Sequence, residues 1–114
     1  MTIEIVERGL AGHRRGPDCY VAILIVPDGV AAPRAMQRTT LERRGCRLVG
    51  VGRGYTRATG PRSALGRARR VAADVVVAAR EYLKRWPEAT ADEMSGWVRT
   101  EVWRQYGSST TPRA

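Results

Sequence analysis

Thr2 to Arg8 places Ile3, Ile5 and Val6 among Glu4 and Glu7, the short mixed pattern of a strand with solvated carboxylates. Gly9 to Asp18 holds three glycines, Pro17 and the pair Arg14–Arg15 and reads as a loop. Cys19 to Val26 is an unbroken aliphatic and β-branched run, the pattern of a central strand buried on both faces. Pro27–Asp28–Gly29 then turns the chain: Pro presets φ, and Asp and Gly tolerate turn geometry. A hairpin partner should follow the Ala-rich stretch that ends at Pro33. Met36 to Arg44 permits either an exposed edge strand or a short helix, and Gly45 stops it. Cys46 to Tyr55 reads as a further strand centred on Leu48, Val49 and Val51. Its Gly50, Gly52 and Gly54 fall on alternate positions, so one face lacks side chains beyond Leu48 and suits a bulge or a close backbone approach.

The period changes after the loop from Thr56 to Arg62. Ser63 is a natural N-cap, and Leu65, Ala68, Ala72, Val75, Val76, Ala79 and Leu83 recur at helical spacing. That helix should run to about Arg85 and stop at Trp86–Pro87, because the residue before proline avoids helical geometry. Thr90-x-x-Glu93 is a capping box that opens a second helix, with Met94, Trp97, Val98, Val102 and Tyr106 as its apolar stripe and Gly107 as its stop. The expected fold class is α+β: a small antiparallel meander of three or four strands, then two C-terminal helices packed on one face. Residues 1–107 form a single domain, and 108–114 a flexible polar tail.

The chain has 114 residues, enough for one domain with a modest core. An apolar fraction of 43% argues against disorder of the whole. The longest apolar run is strand-sized, far short of a membrane span, and no apolar signal segment opens the chain. A cytoplasmic location away from membranes is expected, with Cys19 and Cys46 reduced and Cys19 at least partly buried.

Charge changes the picture more than composition does. Residues 1–33 sum to −1 and 71–114 to zero, whereas 34–70 carry eleven arginines against Glu42 alone, so the middle third holds the whole imbalance of the +9 net charge. Lys84 is the only lysine, consistent with a codon bias toward Arg that leaves the clustering unaccounted for. Arg62, Arg67, Arg69 and Arg70 crowd the start of the first long helix, where cations oppose the helix dipole by about 0.3–1 kcal/mol each. A phosphate-bearing partner would account for them, since the guanidinium fork binds phosphate bidentately. Arg53 and Arg57 lie just before, and Arg43, Arg44 and Arg47 extend the stretch. Grouping of these nine on one folded face would favour nucleic-acid binding by them, and dispersal around the domain would sink that idea.

A β-meander whose last strand feeds a basic helix, with Ser63-Ala64-Leu65-Gly66-Arg67-Ala68-Arg69-Arg70 at the junction, resembles the second half of a double-stranded-RNA-binding domain. The resemblance covers Thr2 to about Leu83 and is topological; that family's first helix and its Lys-Lys-x-Ala-Lys signature are not present. Gly52-x-Gly54 and Gly60–Pro61–Arg62–Ser63 lack the spacing of a dinucleotide or P-loop motif and read as a strand-to-helix loop. His13, the only histidine, has no partner at metal-ligand spacing, and Asp92 and Glu93 read as capping carboxylates. No catalytic residue, metal or cofactor is expected. The leading expectation is therefore a non-catalytic module contacting DNA or RNA phosphates with weak sequence preference. The alternative is a small interaction or inhibitor protein, of the kind phages and mobile elements carry, that docks on an acidic surface. Trp97 and Trp103, six apart on nearly opposite sides of one helix, are its candidate partner interface, in a heteromeric complex or a homodimer.

Overall fold

A computed structural model describes residues 1–10, 18–31 and 37–107. Strands β1 (Thr2–Leu10), β2 (Asp18–Val26) and β3 (Arg47–Tyr55) form one antiparallel sheet in the order β1-β2-β3. A short helix α1 (Arg38–Arg43) lies between β2 and β3, and helices α2 (Ala64–Arg85) and α3 (Ala91–Val102) follow the sheet. The architecture is α+β, as the hydrophobic pattern predicts. Residues 37–44 hold no edge strand: 38–43 are helical, and the alternative of a fourth strand is not realised over these residues. Gly45 ends α1 at φ +81°, with the amides of Gly45 and Cys46 donating to the Glu42 and Leu41 carbonyls. The expected partner of β2 is β3, reached through α1. The loop residues 11–17, with His13, the residues 32–36 and the tail 108–114 lie outside the described residues.

β2 is the central strand, and its alternation feeds two cores. Cys19, Val21, Ile23 and Ile25 face α2 and α3 and join Ile3, Val49, Val51, Leu65, Val75, Met94 and Val98 in the larger one. Leu24 and Val26 face the other way and join Leu41 and Cys46 in a smaller core under α1. Both cysteines are free and buried. Burial, reinforced by Glu7, raises the Cys19 thiol above its ordinary pKa.

The caps follow the sequence signals. Ser63 accepts from the Gly66 amide at 2.9 Å and donates to the Gly60 carbonyl at 2.7 Å. Thr90 accepts from the Glu93 amide at 3.1 Å. α3 stops earlier than the stripe predicts, and Trp103–Gly107 continues it as a π-helical turn. Tyr82 of α2 meets Trp97 of α3 with ring centroids 5.1 Å apart, which ties the two helices together.

Candidate nucleic-acid interface

The glycine strand does not keep its three glycines on one face. Val21 pairs with Gly52 and Ala22 with Gly50, so Val51 is an extra, bulged residue opposite this step. Gly50 therefore faces the α1 side of the sheet, whereas Gly52 and Gly54 face the long helices. A Cβ on Gly52 would meet Ala68 and Tyr106 at 3.0 and 2.9 Å, and one on Gly54 would lie 2.7 Å from the Leu65 amide nitrogen. The same step turns Arg53 and Tyr55 out of the helix layer and onto the α1 side. Without the bulge, both would follow Val49 and Val51 into the core.

On that side α1 covers only the end of the sheet near Leu24, Val26 and Leu48. The other end carries a row, Arg8–Tyr20–Arg53, in direct register across the three strands. Tyr55 pairs with Asp18, so it is the diagonal neighbour of Tyr20, about 7–8 Å away along the sheet. Tyr20 lies down over Gly50: its hydroxyl sits 2.9 Å from where a Cβ would stand. Tyr55 is 43% exposed, and the Arg57 guanidinium lies 5.9 Å from its ring centroid. Asp18, Arg53, Gly54, Tyr55, Ala58 and Ala64 line an open hollow of about 360 Å³ between this row and the start of α2. Two buried polar atoms lack a hydrogen-bond partner among the described residues, Asp18 Oδ1 and Arg67 Nε, and both belong to this end of the molecule.

The nine arginines singled out by sequence do not form one patch, so the grouping that would favour phosphate binding by all nine together is not realised. Arg43 and Arg44 lie on and just after α1, and Arg53 and Arg57 at the far end of the same side. Arg62 stands in the β3–α2 connection, while Arg67, Arg69 and Arg70 belong to α2, across the sheet. Two of the nine are held internally: Arg69 donates twice to Glu7 of β1, at 2.6 and 3.1 Å, and Arg47 donates to Asp92 of α3 at 2.7 Å. These pairs brace the helices against the sheet. The other seven have no carboxylate partner among the described residues. Arg8 and Arg38 share the α1 side and likewise have none, so six arginines stand there against Glu4, Asp18 and Glu42.

Arg8 was not legible as a site residue, because it lies outside the basic stretch and only the strand register brings it beside Arg53. Tyr20 is legible as an aromatic that could stack a base, but it too lies outside the basic stretch, and the room for its ring comes from Gly50 across the strand pair. The two tryptophans separate as their spacing predicts: Trp97 is half-buried against Tyr82, whereas Trp103 is 76% exposed. Trp103 borders a hollow lined by Val49, Val51, Val102 and Tyr106 along β3. Among the described residues there is no metal-binding cluster of His, Cys, Asp or Glu, and no helix long and apolar enough to cross a membrane. No protein-family model matches the chain, and no curated protein or solved structure matches it significantly.

Proposed function

We propose that this chain is a small, non-catalytic nucleic-acid-binding module of the cytoplasm that grips phosphates through arginines on the α1 side of its sheet. The observation that carries the reading is the group Arg8, Arg43, Arg44, Arg53 and Arg57, which share one side and have no carboxylate partner among the described residues. From Leu48 under α1 to Arg53 the ladder covers the four steps from Leu24 to Tyr20, about 13 Å, room for more than one phosphate. Guanidinium groups left uncompensated on one surface repel one another, and a polyanion relieves that repulsion. Arg62, Arg67 and Arg70 extend the positive field around the β3–α2 connection. Such contacts position the ligand and carry little sequence information.

The test is fluorescence-anisotropy titration of labelled oligonucleotides across a salt series. With four or five phosphates engaged, log affinity should fall against log salt with a slope of about −3 to −5. Arg53→Ala and Arg57→Ala should each reduce that slope by about 0.7–0.9. Arg47→Ala and Arg69→Ala should leave it unchanged, because those side chains are committed to Asp92 and Glu7. Absence of binding at low salt defeats the reading. A second reading, a protein partner or a second copy of this chain, is favoured by Trp103 alone, exposed beside an apolar hollow. It requires Trp103→Ala to abolish a complex seen by analytical ultracentrifugation.

A further inference from the structure

Resting on that reading, we infer that the ligand is single-stranded nucleic acid whose bases stack on Tyr55 and Tyr20, on the part of the sheet that α1 leaves open. Duplex bases are stacked inside the helix and present only their edges in the grooves, so a flat protein face meets a duplex as a row of phosphates. A single strand can turn its bases onto such a face, and every base has a ring surface to offer. Three features make this face a stacking platform. Tyr20 lies down on the sheet, because Gly50 has no side chain to lift it. Tyr55 stands 43% exposed at the next diagonal position on the same side of the sheet. Arg8 and Arg53 flank Tyr20 in the same row, where they can meet the phosphates on either side of a stacked base.

Arg57 gives the second half of the argument. Its guanidinium already occupies the space over the Tyr55 ring. At 5.9 Å from the centroid the cation is drawn to the ring face without covering it closely, and the same arginine can close over an inserted base or pair with its phosphate. The open hollow between Tyr55, Arg53 and the start of α2 leaves room for a base to enter beside the ring. Charge complementarity favours this occupant over an apolar peptide, because Arg8 and Arg53 border Tyr20 and Arg57 lies by Tyr55, against the single carboxylate of Asp18 opposite Tyr55.

Binding of labelled single-stranded oligonucleotides and of the matching duplex, measured with the full chain at equal salt, tests the inference. The expected result is single-strand affinity at least about tenfold above that of the duplex. Tyr55→Leu and Tyr20→Leu should each weaken single-strand binding about five- to tenfold with no change in salt slope, whereas Tyr55→Phe should retain it. Thermal unfolding of each variant confirms that the fold is kept, and Tyr55→Leu, at an exposed position, serves should Tyr20→Leu fail to fold. Duplex bound as tightly as single strand, with affinity indifferent to both tyrosines, overturns this inference and leaves phosphate binding standing. Failure to bind either ligand overturns both.

Discussion

Gly66 stands where the carbonyl oxygen of Gly60 presses against the first turn of α2, inside the space a Cβ would occupy. The contact is with backbone, fixed by the Ser63 hydroxyl, which donates to that carbonyl and accepts from the Gly66 amide. A methyl group cannot be relieved there by rotating a side chain. Gly66→Ala should therefore destabilise the fold by about 2–3 kcal/mol despite the better helix propensity of alanine, as chemical denaturation would measure. Gly96 is the control, a helical glycine with nothing within 4 Å of its missing Cβ. Gly96→Ala should stabilise by about 0.5–1 kcal/mol. Two glycines of equal standing in the sequence thus have opposite signs, decided by whether another backbone occupies the vacant position.

At the scale of elements, α3 carries a pH-sensitive joint at its end. A hydrogen bond from Arg104, with a second from Gln105, holds the Glu101 carboxyl below its ordinary pKa of 4.5. The folded state thus favours the ionised form. The stability this contributes is complete above about pH 4.5 and is lost as pH falls through the lower folded value. Glu101→Gln should lower the urea midpoint at neutral pH and narrow its difference from the midpoint at pH 3. The elements themselves were legible in proportion to how much local pattern each contains. β2 announces itself through seven consecutive apolar residues, Tyr20 to Val26, and α2 and α3 through Ser63, the Thr90–Glu93 box and their stripes. α1 was ambiguous because a six-residue helix has room for one buried position, Leu41, and one residue has no period. Of the candidate site, the arginine stretch could be read. The division of those arginines between two sides of the sheet could not, since it depends on pairing between distant strands.

The whole molecule is a three-layer stack of unequal layers, two long helices on one face of the sheet and one short helix on the other. α1 is too short to be helical by itself, and Leu41, fully buried against Leu24 and Val26, holds it in place. Leu41→Ala should cost about 2–4 kcal/mol. Hydrogen exchange should then show the Cys46 amide, bonded to the Leu41 carbonyl, losing protection while the amides of α2 keep theirs. The consequence of Val51 reaches furthest. Side chains along a strand alternate as odd and even numbers do, and one residue outside the ladder exchanges the two sets for everything that follows. Up to Val51 the odd positions of β3 are interior; beyond it, the even ones are. Removing that residue, or adding another, would send Arg53 and Tyr55 inward and leave Gly52 and Gly54 to face the solvent. A change of two residues would restore the order. The surface proposed to hold the ligand is thus encoded in the parity of a count, which composition alone does not record.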